Sequence, residues 1–245
     1  WMDNHFTRNN FPPLTWQKKQ KNGVLKYILE KGKGVIDCGA HIGDFGIPLA
    51  LALKTMSRND IMVYCIDPSK KKCDFMKKMC ILNKLDDNNI KIICTGLADK
   101  RGKFSISKES IKMQKQVKFE QFKNNTGGWE WIKDKNGMVF TTLDHLYKNK
   151  KIGEIGFFWM DVQWAEQNVI RGGSNYLRKC KPYILMEYEP PTDYFKDGAV
   201  KTIKNNATRE DLNNDKNFMK FFKEMGIVIC NTNSNDIDDI LLEFK

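Results

Sequence analysis

The sequence predicts an α/β fold with a doubly wound, mostly parallel sheet and helices on both faces, and three observations support this. Short apolar runs alternate with segments of helical periodicity along most of the chain. One apolar run, Ile61–Ile66, is continuous, as is typical of a parallel strand covered on both faces. A glycine turn, Gly39 to Gly43, separates a short strand from a further apolar segment. Helical crossovers between parallel strands are right-handed, which gives the doubly wound arrangement.

Two regions are expected along the chain. Residues 1–33 form an N-terminal cap or arm followed by a helix at Val24–Glu30, and residues 34–245 form the main domain. The aromatic residues of the arm either line a substrate or pack against the main domain. From about 103 to 142 the apolar residues alternate weakly, which predicts a small antiparallel excursion.

The predicted elements of the main domain follow in order. Strands are expected at Gly34–Asp37, Ile61–Ile66, Ile90–Cys94, Ile155–Met160, Tyr183–Met186, Ile227–Cys230 and Ile240–Phe244. The expected helix caps are Asp44 for a helix through Leu53, Ser69 for the next helix, and Thr142 or Asp144 for a third. The helix after Ser69 carries Phe75, Met76, Met79 and Leu82 on its apolar face, and two more helices span about Ala165–Ile170 and Asn217–Met225.

Composition narrows the class of protein. No apolar run approaches the roughly 18 to 20 residues that cross a membrane, and the seven cysteines include no Cys-x-x-Cys pair. These features predict a cytoplasmic, reducing environment. The chain does not begin with Met, so it is expected to be trimmed or to be one domain of a longer protein. The net charge of +11 fits either an anionic partner or a lysine-rich solvated surface.

The carboxyl ends of the parallel strands predict where a ligand binds, because doubly wound sheets bind ligands beyond that edge. Acids end or follow four of the strands, namely Asp37, Asp67, Asp161 and Glu187. An edge with so many carboxylates is poorly suited to a polyphosphate.

The glycine turn excludes two classes of nucleotide site. His41 stands where a dinucleotide site has its second glycine, which lets the backbone reach the pyrophosphate. No Gly-Lys-Ser/Thr loop for a nucleoside triphosphate is present. Asp67, 30 residues after Asp37, can accept hydrogen bonds from both hydroxyls of a ribose. A nucleoside cofactor without phosphates and with a positive centre fits these features, and S-adenosylmethionine is the predicted cofactor.

At these residues the chain resembles the FkbM-type S-adenosylmethionine-dependent methyltransferases, from about Val35 to Glu187. The matching segments are 36–44, 67–69, 82–83, 98–99 with Gly102, 142–144, 160–163 with Glu166, and Arg178 with 182–187. The resemblance implies a class I methyltransferase (Rossmann-like) fold and O-methylation, often of sugars or polyketide-type hydroxyls. Trp164 departs from the family, which usually has a small residue there, so the acceptor is not carried over.

Several residues are predicted to bind the cofactor. They are Asp37, Gly39, Ala40, His41, Gly43, Asp67, Pro68, Ser69, Leu97, Ala98 and Asp161. Asp67 is expected to hold the ribose, with helix capping as its structural alternative. Asp37 either braces the glycine loop or contacts the methionine amine, and Leu97, Ala98 and Asp99 are placed beside the adenine.

The predicted catalytic residues are Asp161 and Glu187. Asp161 is expected at the reacting centre, as a general base or as a holder of the methionine end, and its alternative is a cap for the helix that carries Glu166. Glu187 either shares a divalent metal with Asp161 or neutralises nearby lysines. Trp129, Trp131 and Trp164 either stack on a sugar ring or pack in the core.

Three functions are compatible with these residues. The first is an O-methyltransferase that modifies a sugar or glycan hydroxyl. The second is a nucleic-acid methyltransferase, which the positive net charge favours. Against ribose methylation, the lysine pattern typical of that reaction is lacking. Against adenine methylation, the run Glu189-Pro190-Pro191-Thr192 follows the fifth strand instead of the fourth. The third is a non-catalytic binding module with a methyltransferase-like fold.

Overall fold

A computed structural model describes residues 24–106, 131–162, 165–186, 216–230 and 240–245 of the chain. The predicted N-terminal arm at 1–22 lies outside these residues, as do Trp129, Trp164 and Glu187. Trp131 begins a described strand, but its side chain is not among those described.

The central sheet has seven strands among the described residues. In chain order they are β1 (Gly34–Cys38), β2 (Val63–Asp67), β3 (Ile90–Cys94), β8 (Ile155–Met160), β9 (Tyr183–Met186), β10 (Ile227–Ile229) and β11 (Ile240–Phe244). Their order across the sheet is β10-β11-β9-β8-β1-β2-β3. The five strands from β9 to β3 pair in parallel, and β11 pairs antiparallel with β9 and β10. The prediction of a mostly parallel sheet is confirmed.

Seven helices are described, and they cover both faces of this sheet. They are α1 (24–31), α2 (Gly46–Thr55), α3 (Lys70–Leu82), α4 (Leu143–Lys148), α5 (Glu166–Gly172), α6 (Ser174–Cys180) and α7 (Lys216–Met225). One buried cluster joins residues of α1, α2 and α3 to the sheet, including Ile28, Leu53 and Met76. The other joins residues of α4 to α7, including Leu143, Leu177 and Phe222. Side chains alternate between these clusters along β1, since Val35 enters the first and Ile36 the second.

The antiparallel excursion predicted at about 103 to 142 is present in its described part. The strands β4 (Gly96–Leu97), β5 (Gly102–Ile106), β6 (Trp131–Lys133) and β7 (Met138–Thr141) form a small sheet in the order β4-β7-β5-β6. β5 pairs antiparallel with β6 and β7, and β4 pairs parallel with β7.

Two expectations about the helices on the first face were wrong. Phe45 is the N-cap of α2 instead of Asp44, and its side chain has no hydrogen-bond acceptor. Asp37, nine residues before Gly46, accepts from Gly46 N instead. Leu82 of α3 is 74% exposed, since the helix turns Cys73, Met76 and Cys80 toward the sheet. The cysteines act there as small hydrophobic residues.

On the second face, the predicted cap and the predicted helix are both confirmed. Thr142 caps α4 by accepting a hydrogen bond from His145 N at 3.1 Å, as one of the two alternatives predicted. The helix predicted from Ala165 is present as α5, and α6 follows it directly after Gly173 without having been predicted.

Candidate functional site

The loop from residue 39 to 43 connects β1 to α2 at the carboxyl edge of the sheet. Three of its residues are left-handed, with φ values of +81° at Gly39, +49° at His41 and +82° at Gly43. Both Gly39 N and Ala40 N donate to Ile66 O of β2, at 3.0 and 3.1 Å. Of these three residues only His41 has a side chain, and the left-handed conformation is unfavourable by about 1 kcal/mol or more for such a residue.

Gly39 is required by contact with the protein itself. A Cβ atom at this position would lie 1.8 Å from Asp161 O, at the end of β8. Asp161 N also donates to Cys38 O at 3.0 Å, so the end of β8 runs directly along the beginning of the loop. A residue with a side chain would therefore push the loop away from the end of β8.

Asp67 ends β2 and holds the loop in place. Its Oδ2 accepts from His41 N at 3.1 Å and its Oδ1 accepts from Ser69 N at 2.8 Å. The side chain is 4% exposed, and burial raises its pKa above the ordinary value. Ser69, two residues later, caps α3 as predicted, with its Oγ accepting from Lys72 N. Pro68 connects the two, so one short segment orients both the carboxylate and the helix.

Asp37 braces the same loop from below, which was one of its two predicted roles. It is 2% exposed, and its Oδ2 accepts from Gly46 N at 2.9 Å at the beginning of α2. Burial, followed by repulsion from Asp44, raises its pKa to about 8. Burial and the nearby Asp44 thus disfavour the charged form of this carboxyl group, which weakens the negative charge that Asp37 was expected to bring to the edge.

A charged cluster of Asp44, Asp67, Asp161, His41 and Lys72 lies at this edge. Lys72 interacts electrostatically with all three carboxylates, and desolvation lowers its pKa despite their attraction. Desolvation and Lys72 also lower the pKa of His41. The structure thus brings together three of the predicted site residues, Asp67, Asp161 and His41.

Lys72 was not among the site residues predicted from the sequence. The available signal was its position in the first helical turn after Ser69, which points back toward the sheet edge.

Leu97 and Ala98 lie beyond this cluster, after β3. Leu97 is buried in the core, and Ala98 N donates to Thr141 O of β7 at 2.9 Å. A Cβ atom at Gly172 would lie 2.0 Å from Ala98 O, so α5 packs directly against this turn. The side chain of Leu97 therefore belongs to the core, and Ala98 and Asp99 follow it toward the surface.

Asp161 lies beside the loop, where its backbone N donates to Cys38 O. The N-cap of α5 is Ala165, without a side-chain hydrogen bond. Glu187, its predicted partner, lies outside the described residues. Among the described residues, no group of three or more His, Cys, Asp or Glu side chains could hold a metal ion.

The residues at this edge fit a nucleoside cofactor. Each oxygen of the Asp67 carboxylate accepts one backbone hydrogen bond, which leaves a lone pair on each oxygen for the two hydroxyls of a ribose. The two backbone bonds fix the carboxylate in advance, so that little ordering is needed when a ligand binds.

None of the described helices has the length and apolar character that a membrane-spanning segment requires.

Comparison with solved structures finds methyltransferases. An FkbM methyltransferase from Methylobacillus flagellatus KT is 14% identical, with a TM-score of 0.47, over 87% of this chain and 44% of that one. The chain therefore spans less than half of that relative. An S-adenosylmethionine-dependent methyltransferase from Aquifex aeolicus is 12% identical, with a TM-score of 0.47, over 94% of this chain and 91% of that one.

A third similar structure is magnesium protoporphyrin IX methyltransferase from Synechocystis PCC 6803, which contains S-adenosylhomocysteine. It is 14% identical, with a TM-score of 0.48, over 94% of this chain and 84% of that one. No curated protein matches the chain. The family model of the methyltransferase FkbM domain matches residues 37–229, which is more than half of the chain. The chain therefore belongs to the FkbM family of S-adenosylmethionine-dependent methyltransferases, which confirms both the resemblance and the cofactor predicted from the sequence.

Proposed function

We propose that the protein transfers the methyl group of S-adenosylmethionine to a hydroxyl group of a sugar or glycan. The observation that carries this proposal is the Asp67 carboxylate, which two backbone donors hold beside the 39–43 loop in a member of a methyltransferase family. The cofactor supplies a methyl group on a positively charged sulfur, which already activates it for transfer. The protein then has to orient the two reactants and remove the hydroxyl proton.

The proposed cofactor site follows the carboxyl edge from β1 to β3. Asp67 accepts the ribose hydroxyls, and Pro68 and Ser69 line the same side. Gly39, Ala40, His41 and Gly43 line the methionine side, with Asp37 fixing the loop from beneath. The adenine is proposed to lie near Leu97 and Ala98, where the turn is held by β7 and α5.

Asp161 is proposed as the general base. Its backbone lies against Gly39, and its carboxylate belongs to the charged cluster that contains Asp67 and Lys72. In this role one carboxylate oxygen accepts the proton of the acceptor hydroxyl as the methyl group is transferred. Glu187 follows the neighbouring strand β9 and is proposed as a second carboxylate at this edge. Trp129, Trp131 and Trp164 are proposed to contact the acceptor through their aromatic faces.

A nucleic-acid acceptor is the second candidate, and the net charge of +11 favours it. Phosphate groups would be attracted to this surface, and binding would weaken steeply as salt is added. A sugar acceptor without charge would show little dependence on salt.

The direct test is a panel of saccharides and RNA incubated with the protein and methyl-labelled cofactor. We expect label in a saccharide, whereas label in RNA alone would replace our proposal with the second candidate. Label in neither, from a protein that binds the cofactor, would favour the non-catalytic binding module.

The role of Asp161 is tested by Asp161→Asn. Removal of a general base lowers turnover by about 100-fold or more. We expect that loss in kcat, with the Kd for the cofactor changed by less than about threefold, or 0.7 kcal/mol. Asp87→Asn, which alters an exposed acid before β3, is the matched control. An unchanged kcat in Asp161→Asn would contradict the assignment.

A further inference from the structure

A cavity lies at the amino-terminal ends of β2, β3 and β8, away from the proposed cofactor site. Its volume is about 610 Å³, and its lining includes Tyr64 and Lys91, the second residues of β2 and β3. Asp67 stands at the other end of the five-residue β2, so the length of a strand, roughly 13 Å, separates the two regions. The cavity therefore does not belong to the methyl-transfer site.

Positive charge dominates the lining of this cavity. Lys91, Lys148, Lys150 and Lys151 all line it and are exposed, and none of them forms an ion pair with a described residue. Glu154 is the one acid in the lining, and it is paired with two other lysines, Lys33 at 3.0 Å and Lys179 at 3.4 Å. The charge of the Glu154 carboxylate is thus balanced by lysines outside the lining. The positive charges of the four lining lysines can therefore attract an anion.

The floor of the cavity is rigid. Gly153 N donates to the hydroxyl of Tyr64 at 2.9 Å, and Gly153 O accepts from the hydroxyl of Tyr176 at 2.6 Å. Both tyrosines are buried, so they hold this peptide segment from within the core. A rigid floor favours binding, because little conformational freedom is lost when a ligand arrives.

The end of α4 fixes the backbone positions of three of the four lysines. Lys150 N donates to Tyr147 O and Lys151 N donates to Leu146 O, both at 2.9 Å, which is the hydrogen-bond pattern of a Schellman motif. Lys150 has φ of +54° at the position where glycine is usual. The end of α4 therefore holds Lys150 in a conformation that glycine adopts without strain.

Helix electrostatics account for only part of this arrangement. Lysines near a helix carboxyl terminus interact favourably with its dipole, which can explain Lys148 and its neighbours. Lys91 comes from a different element, the edge strand β3, where exposed lysines are common, and it lines the same cavity. Convergence of lysines from two elements on one rigid floor is the arrangement expected for binding phosphate.

We propose that this cavity binds phosphate groups, carried by a small phosphorylated molecule or by the backbone of a nucleic acid. Pyrophosphate and a short single-stranded RNA are the two probes, titrated calorimetrically into the full chain. The test variant is Lys91→Gln/Lys150→Gly, in which glycine suits the backbone at 150 and guards against loss of folding. Lys77→Gln/Lys78→Gln, on the exposed face of α3, removes the same charge elsewhere.

We expect pyrophosphate to bind, with affinity at least about tenfold lower in the test variant and changed less than about twofold in the control. If RNA also binds through these lysines, the slope of log K against log salt falls by about 1.4 in the test variant, which identifies a nucleic-acid backbone as the source. Pyrophosphate binding alone identifies a small ligand. Absence of binding by both probes, or equal losses in the two variants, would overturn the proposal.

This result is independent of the proposed methyl transfer. Asp67→Asn, at the opposite edge of the sheet, is expected to leave pyrophosphate binding unchanged within about twofold, even where it weakens the cofactor. A loss of pyrophosphate binding in that variant would place the phosphate at the cofactor site and overturn the proposal.

Discussion

The buried carboxyl group of Asp37 links its own protonation to the stability of the fold around the 39–43 loop. Its Oδ2 accepts from Gly46 N and from Cys65 Sγ, and its pKa of about 8 exceeds the ordinary value of 3.8. The folded protein therefore holds a proton on Asp37 over a pH range in which the unfolded chain has released it. The associated stability is complete below pH 3.8 and is lost as pH rises to about 8.

Asp37→Asn tests this link. The amide oxygen can still accept from Gly46 N, but the side chain cannot ionise. In the wild type, this group lowers the free energy of unfolding by about 1.4 kcal/mol per pH unit between its two pKa values. We expect the variant to lose most of that slope between about pH 5 and about pH 8 in urea unfolding. Identical slopes in both proteins would show that Asp37 does not hold the proton.

Gly39→Ala tests the contact between the loop and the end of β8. Gly39 combines a φ of +81° with a Cβ position 1.8 Å from Asp161 O. Gly226, after α7, has a φ of +73° with no atom within 4 Å, so Gly226→Ala isolates the conformational cost. We expect a loss of about 1 kcal/mol in the free energy of unfolding for Gly226→Ala and at least about 3 kcal/mol for Gly39→Ala. Equal losses would contradict the contact.

At the scale of the elements, Asp144 connects two helices on the second face of the sheet. It lies in the first turn of α4, and its carboxylate accepts from Asn175 Nδ2 at 2.7 Å and from Tyr176 N at 2.8 Å. It thereby caps α6, which has no cap from its own N-cap residue, Gly173. The sequence analysis considered Asp144 only as a cap for its own helix.

Asp144→Ala is expected to destabilise the protein by about 1–2 kcal/mol, the usual effect of losing a helix cap. The measurement is the free energy of unfolding in urea, with Asp87→Ala as an exposed control that should change it by less than about 0.5 kcal/mol. A change in Asp144→Ala no larger than in the control would show that α6 needs no cap from α4.

The predicted elements agree with the structure where a single residue pattern determines the bounds of a strand. The strands at Ile90–Cys94, Ile155–Met160 and Tyr183–Met186 have the predicted bounds. Each is a short, mainly apolar run between polar residues, which leaves few alternatives. On α3, Met76 is buried and Met79 packs against the core as predicted, whereas Leu82 is exposed. Cys73 and Cys80 complete the buried face instead, and only packing against the sheet selects them.

At the scale of the whole molecule, the sheet edge proposed as the cofactor site was predictable from the sequence, but the contacts within it were not. Asp67 and Asp161 follow parallel strands, so the sequence places them at one edge without any knowledge of the strand order. The bond from His41 N to Asp67 and the approach of Asp161 O to Gly39 depend on which strands are neighbours. A single sequence does not contain that information in any local pattern.

The central claim is that Asp67 binds the ribose of S-adenosylmethionine, and calorimetry with a deoxy analogue tests it most directly. S-adenosylhomocysteine and its 2′-deoxy analogue are titrated into the wild type and into Asp67→Asn. We predict that the wild type prefers the ribose form by about tenfold or more, as expected for a hydrogen bond to a charged group, and that Asp67→Asn loses most of that preference. An undiminished preference in Asp67→Asn, or no heat with the wild type, would contradict the claim.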